Sequence, residues 1–320
     1  MTDYIIRRFL MMIPVVLIVT GVLFILSQAT PGDPASVTIG QETDLSKSEY
    51  EQTLKNLRAK YDLDKPLPIQ YVLWVSRASV GNLGHSYRSN QPVREAIAER
   101  LPVTLELGGL SLLVSWAIAI PAGVIAANHR NKIEDVAANF VGLLGLSLPN
   151  IWVAFVLIYV FAVRLQWLPP SGFVPFREDP VENLRSMILP VFTLGTSGAA
   201  VVMRLTRSSL LEVISQDYMR TARAKGLHER VILWRHGMRN ALIPIATIVG
   251  LELGGILGGA FIIETIFSLP GMGKLAVDAI YARDYPIVQG VLLVSTVTYL
   301  FANFAVDVSY GLLDPRIRYA

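Results

Sequence analysis

The chain is 320 residues long, carries 28 Lys and Arg against 25 Asp and Glu for a formal charge of +3, and is 52% hydrophobic. Charged residues make up 17% and mean hydropathy is +0.48, so the chain is too apolar for a water-soluble body of this size. The absence of cysteine excludes disulfides, thiolate metal sites and cysteine nucleophiles, and a charge this small and dispersed leaves no footprint for nucleic acid.

A bilayer core takes about 20 mostly apolar residues per helix. Six such blocks follow one another: Phe9–Gln28, Leu105–Ala127, Val136–Val163, Met187–Met203, Ala241–Phe267 and Ile287–Val306. The expected fold is therefore all-α, a polytopic membrane protein with six transmembrane helices in a single transmembrane domain over residues 1–320. The third and fifth blocks are long enough to tilt or to leave the hydrocarbon. The fourth is short and holds Thr193, Gly195, Thr196, Ser197 and Gly198, residues that let helices approach closely. Arg7 and Arg8 ahead of the first block also suit a secretory leader. The apolar run is too long for one, and Ala29-Thr30-Pro31-Gly32 offers no small-x-small cleavage site, so the block reads as an uncleaved span.

Lys and Arg in short loops set orientation. With the N-terminus cytoplasmic, the inner segments hold fourteen: Arg7, Arg8, Arg130, Lys132, Arg316, Arg318 and eight between Arg204 and Arg239. The short outer loops hold five, namely Arg164, Arg177, Arg185, Lys274 and Arg283. Both termini are therefore expected inside.

Residues 30–102, between the first two blocks, form an extracytoplasmic helical insertion. Ser46-Lys47-Ser48-Glu49 is a capping box that opens a helix with Tyr50, Leu54, Leu57 and Tyr61 on one face. Pro66 and Pro68 precede a second apolar stretch, Ile69–Val75, and a third short helix is expected from Pro92 to Leu101. Such a cap either packs on the bundle as a lid or docks an external partner.

Residues 204–240 form the largest inner element. Leu211, Ile214, Tyr218 and Ala222 recur at helical spacing, and Arg223 and Lys225 fall in a last turn. Gly226 stands where a C′ residue with positive φ is expected. A second helix follows with Val231, Trp234 and Met238 on one side. This hairpin is either a topogenic basic loop or a contact element.

In the fifth block Gly250, Gly254 and Gly258 stack in one row, suited to helix packing or to lining a substrate path. Two carboxylates fall within blocks away from the ends. Glu106 is near enough to its helix end to reach the interface. Glu252 lies roughly 15 Å into its block, where it either lines the conduit or is protonated or hydrogen-bonded in a packed interface. His85, His129, His228 and His236 all lie outside the blocks and show no metal-ligand spacing. Gly271-Met272-Gly273-Lys274 lacks the preceding Gly and following Ser/Thr of a phosphate loop, the positions holding Ser268 and Leu275. Few buried ionisable residues and no inverted repeat argue for a passive conduit driven by something else.

Asp217-Tyr218-Met219-Arg220-Thr221-Ala222-Arg223-Ala224-Lys225-Gly226, followed by Arg239-Asn240-Ala241-Leu242-Ile243-Pro244, resembles the coupling loop of ATP-binding-cassette importer permeases. The narrower resemblance is to the dipeptide/oligopeptide/nickel branch, because Arg220-Thr221-Ala222 replaces the general Glu-Ala-Ala and the stretch to Pro244 is long. Arg7-Arg8 with Thr30-Pro31-Gly32-Asp33-Pro34 is similar to the first, B-type, permease of that branch. Leu101–Leu107, Glu264–Gly273, Arg283–Pro286 and Asp314–Arg318 resemble further family segments.

The resemblance implies a bacterial inner-membrane subunit of an importer. It would pair with a second homologous permease, two ATP-binding subunits that hold the ATP and Mg, and an extracytoplasmic substrate-binding protein. This chain would have no cofactor, metal, catalytic residue or ATPase site of its own. Asp217, Tyr218, Arg220, Thr221, Ala222, Lys225 and Gly226 would couple to the ATPase, with Ala222 at the contact. Glu252, Gly250, Gly254 and Gly258 would line the translocation path. Peptides are the expected cargo, with nickel chelates, glutathione or oligosaccharides as alternatives. The competing class is a secondary carrier or other membrane protein not driven by ATP.

Overall fold

The computed structural model describes residues 2–29, 46–60, 62–228, 231–232, 237–238, 241, 252 and 260–313. The helices run in the order α1 (Thr2–Ala29), α2 (Lys47–Lys60), α3 (Leu67–Ser79), α4 (Val93–Asn128), α5 (Ile133–Ser147), α6 (Asn150–Leu157), α7 (Pro180–Ile214), α8 (Asp217–Ala224), α9 (Met272–Tyr281) and α10 (Tyr285–Leu313). The expected all-α class holds. Among the described residues no strand forms, only an isolated bridge between His85 and Pro92.

The centre of the bundle is the α4–α7 pair, the most extensive helix contact among the described residues. Small residues make it close. A Cβ added at Gly195 would lie 2.7 Å from the Ser111 carbonyl oxygen, and one at Gly123 would lie 2.6 Å from Thr206 Cβ. Val103, Leu107, Met187, Leu189, Leu194 and Phe267 fill the core around this pair. By contrast α1 packs mainly on α10, through an edge-on Phe9–Phe304 contact and an Arg8–Asp307 ion pair of 3.0 Å. Ile18, Ile25 and Leu26 of α1 stay exposed, an apolar surface that suits lipid.

α1, α4, α7 and α10 are long and apolar enough to cross a membrane, and the third block gives a further candidate with an unexpected shape. It is bent by 102° between Ile133–Ser147 and Asn150–Arg164 rather than running straight. Pro149 is the cause: the residue before a proline avoids helical dihedrals, and Leu148 is extended at φ −84°, ψ 126°. After α6 the chain continues to Arg164 with π-helical hydrogen bonding. The expected short helix from Pro92 to Leu101 is not separate either. It runs unbroken through Pro102 into the second block, making α4 36 residues long. The fourth block is the middle of α7, whose 35 residues reach about 52 Å, well beyond a bilayer core. The fifth block lies largely outside the described residues.

Two of the insertion's helices start where their sequence implies. Ser46 N–H donates to Glu49 Oε2 at 2.9 Å, and the Glu49 amide approaches Ser46 Oγ at 3.4 Å, so the capping box forms at the start of α2. Between α2 and α3, Asp62 is paired with Lys65 and with Arg77 of α3, which together hold its carboxyl below the usual range. Gln70 of α3 donates to the Leu63 and Lys65 carbonyls, and Tyr71 reaches α1 at the Leu17 carbonyl. At its far end the insertion is tied to the last loop. Ser86 Oγ donates to the buried Asp284 carboxylate, and Tyr87 N–H donates to the same group at 3.1 Å. The end of the bundle bearing the insertion is hereafter the cap end, and the end bearing α8 the hairpin end.

Candidate coupling and translocation sites

At the hairpin end α7 runs past the bundle, turns at Ser215 and Gln216, and enters the two-turn helix α8. Asp217 sits in the first turn, where a negative charge suits the helix dipole, and pairs loosely with Arg220 at 3.7 Å. The chain leaves α8 at Lys225, and Gly226 follows with φ +76°, its N–H donating to the Arg223 carbonyl at 2.9 Å. A Cβ there would meet nothing within 4 Å, so the glycine answers to backbone conformation and not to space. The C′ role expected of Gly226 is therefore met.

Asp217, Tyr218, Arg220, Thr221 and Lys225 form the exposed side of α8. Ala222, expected at the ATPase contact, is not on this exposed side. It stands one turn after Met219, and both are buried against Ile232 and Ile214 of the same chain. On so short a helix, i and i+3 share a face, and the apolar pair takes the inner one. Ile232, not the exposed Val231, carries the core face of the following segment, together with Met238. Met238 and Ala241 pack with Leu210 of α7 and with Val124 and Ala127 of α4, so the hairpin is joined to both central helices.

Beside this junction lies a polar brace with no local sign in the sequence. Asp135, buried in the first turn of α5, takes a two-pronged contact from Arg207 of α7 at 2.6 and 2.8 Å. Asn131 N–H and Asn139 Nδ2 complete its shell at 2.9 and 2.7 Å. Such a bidentate pair fixes angle as well as distance. It locks the start of α5 to the extension of α7 that leads into α8.

Midway along α4 and α7 the polar groups are left open. Glu252 sits against α7 at Gly198, where an added Cβ would lie 2.7 Å from its Oε1. That same Cβ would lie 3.3 Å from Ser115 Oγ of α4, so serine and carboxyl meet at one spot. Trp116 is the further side chain that interacts with the carboxyl. Among the described residues neither Glu252 oxygen, nor Ser115 Oγ, nor Ser111 Oγ one turn away, nor Trp116 Nε1 makes a well-formed hydrogen bond, although all five atoms are buried. Gly250, Gly254 and Gly258 lie outside the described residues.

Glu264, in the helical stretch 260–266, is the opposite case. It is 0% exposed and fully bonded. Thr104 Oγ1 of α4 donates to Oε1 at 2.6 Å, and Lys274 N–H donates to Oε2 at 3.0 Å, with the Gly273 backbone beside the carboxyl. Thr104 in turn accepts from Met272 N–H at 2.8 Å. One carboxyl therefore caps α9 from a distance and ties it to α4. The glycines are dictated by this packing. A Cβ at Gly271 would fall 2.2 Å from the Glu264 carboxyl carbon, and one at Gly273 would fall 2.5 Å from Phe261. α9 itself had no expectation from the sequence. A Glu shortly before Pro-Gly-Met-Gly was the available signal.

Comparison with known proteins places the chain. Residues 119–319 match the family described as binding-protein-dependent transport system inner membrane component, and residues 1–108 match that system's membrane component N-terminal region. The chain belongs to this family, the permeases of ATP-binding-cassette transporters, and is an integral membrane subunit of a larger transporter. It is 39% identical over 322 residues, 100% of both chains, to the oligopeptide transport system permease protein AppB of Bacillus subtilis. It is 40% identical over 319 residues, again 100% of both chains, to a protein of Brucella abortus named as a peptide transport system permease. The fold is similar to a chain of the MetNI methionine ABC transporter in an inward-facing form. The TM-score there is 0.56 at 17% identity, covering 68% of this chain and 96% of that one.

Proposed function

We propose that the chain is one of two homologous permeases in an ATP-driven importer of peptides, set in a bacterial cytoplasmic membrane with both termini and α8 inside. Two ATPase subunits dock at the hairpin end and hold the ATP and Mg, and a substrate-binding protein docks at the cap end. The chain carries no ATPase site of its own. The observation that supports the substrate most directly is full-length similarity, at 39–40% identity, to permeases named for peptide transport.

The mechanism follows from how α8 is mounted. Its polar side, Asp217, Tyr218, Arg220, Thr221 and Lys225, meets the ATPase cleft, while Met219 and Ala222 fix it to the chain. When ATP draws the ATPase subunits together, α8 moves as a lever. The Met238–Leu210 packing and the Asp135–Arg207 brace pass that motion to α4, α5 and α7. These helices, with Glu252 and the glycine row of the fifth block, then alternate access between the two sides.

Gly226→Val tests the lever. A β-branched residue at φ +76° is strained, by about 1–2 kcal/mol, at a site remote from the bundle core. The assembled importer in proteoliposomes should lose most of its ATP-dependent uptake of trialanine while the ATPase subunits still hydrolyse ATP. Normal coupled uptake would reduce the hairpin to a topogenic loop. Uptake that needs no ATP would favour a secondary carrier.

A further inference from the structure

Glu252, Ser115, Ser111 and Trp116 pose a question that the packing leaves open. Buried polar groups ordinarily find partners, and a buried carboxyl without one is costly. Ser111 and Ser115 are 1% and 2% exposed, and neither hydroxyl forms the usual bond to the carbonyl one turn back. That bond is made by Thr193, Thr206 and Ser186 in the partner helix α7. Ser115 instead stands beside Glu252 where α7 narrows to Gly198. A methyl at position 198 would occupy the meeting point, so the glycine preserves the gap between serine and carboxyl.

The spot is approached along α4. An open, shallow hollow of about 480 Å³ lies along one face of α4, lined by Leu105, Glu106, Gly109, Leu113 and Trp116. This is about 15 Å of helix. A Cβ at Gly109 would meet nothing within 4 Å, so the middle of the hollow is open space. Its lining is mostly apolar, with Glu106 at the end nearer the cap and Trp116, which interacts with Glu252, at the other. No Lys or Arg occurs in α4 between Arg100 and Arg130 to offset the two carboxyls.

We infer that Glu252, Ser115 and Trp116 form a mid-membrane station for the protonated amino terminus of the transported peptide, reached along the α4 hollow from Glu106. An ammonium brings three donors and a positive charge. The Glu252 oxygens and Ser115 Oγ accept from it, and the indole ring offers a face that attracts cations. The peptide's carboxylate end is repelled by the same group, so the amino terminus leads. The inference rests on the peptide-importer reading and adds which end of the substrate the chain recognises.

The test uses the complete importer in proteoliposomes, with trialanine and N-acetyl-trialanine compared at equal occupancy of the binding protein. The wild type should import the free amine faster, by about tenfold, the worth of one charge-assisted hydrogen bond. Glu252→Gln should bring the ratio close to one by slowing trialanine alone, and Ser115→Ala should narrow it less. An equal ratio in wild type and both variants overturns the station. If Glu252→Gln does not assemble, Ser115→Ala decides: a narrowed ratio supports the station, an unchanged one overturns it. Wild-type importer that takes up neither peptide with ATP would overturn the peptide reading beneath it, a failure visible before any variant is made.

Discussion

Two glutamates of the fifth block, Glu252 and Glu264, are both withdrawn from solvent and have opposite surroundings. Glu264 accepts from Thr104 and Lys274, Gly271 leaves the space its carboxyl fills, and Gly273 leaves room for Phe261 and the same carboxyl. Glu252 has its two oxygens buried among hydroxyl and indole groups with no well-formed hydrogen bond among the described residues. A carboxyl that every neighbour is shaped around is part of the framework. One that leaves its neighbours unpaired is held for something that arrives. Burial alone would have put the two in the same class.

The same substitution at both sites sharpens this contrast, and at Glu264 it should have the largest effect. Glutamine keeps the shape but turns one acceptor into a donor. At Glu264 that amide faces Thr104 Oγ1 on one side or the Gly273 and Lys274 amides on the other, and α9 loses part of its cap. Glu264→Gln should cost about 2–3 kcal/mol and lower the unfolding temperature of the detergent-solubilised complex by several degrees. Glu252→Gln breaks no well-formed hydrogen bond and should leave that temperature within a degree or so of wild type. Equal losses at both positions would erase the distinction.

Hydropathy and local chemistry in the sequence reached some of this architecture. The Ser46–Glu49 box, the positive φ of Gly226 and the apolar runs of α1, α4, α7 and α10 are all local, depending on residues within a turn or on membrane length. Other features were set by partners far along the chain. Glu264 meets Thr104 at a separation of 160 residues, and Arg207 meets Asp135 at 72, neither of which leaves a periodic trace. The bend at Leu148 was marked by Pro149, yet the apolar run across it read as one span. Ala222 shows the limit for short helices: with two turns, either side of α8 fits the spacing, and the packing of Met219 on Ile232 decides.

Asp135 extends the comparison to the hairpin end, with the next largest effect. Like Glu264 it is fully partnered, but its main partner is a charge, and Arg207 is partly exposed. Asp135→Asn removes the ion pair while water can still reach the guanidinium, so the loss should be about 1–3 kcal/mol. Because the brace joins α5 to the arm that carries α8, uptake per ATP hydrolysed should fall as well. Asp135→Glu keeps the carboxylate and should recover part of the loss, the extra methylene displacing the fork from Arg207. A stability loss with unchanged uptake per ATP would leave the brace a fastening with no part in transmission.

The smallest effect is expected at Asp62, a carboxylate bonded like Glu264 but on the surface of the insertion. Lys65, and then Arg77, lower its affinity for protons in the folded chain, and in the unfolded chain both contacts are gone. A group whose folded pKa is depressed contributes stability above its unfolded pKa, and loses it as pH falls through the folded value. Acidification from neutral should therefore leave the α2–α3 junction unchanged until the ordinary Asp range, near pH 4, and weaken it progressively below that. The pair lies at the surface, where screening keeps such contacts worth little, so the junction should loosen without unfolding the bundle. Hydrogen exchange at the Leu63 and Lys65 amides, followed from pH 7 downwards, reads this locally once the intrinsic rate is divided out. Asp62→Asn should show the loosened rate at every pH and no further acid step. An acid step of the same size in that variant would assign the titration to Glu49, whose carboxyl is also held low by Ser46 at the start of α2.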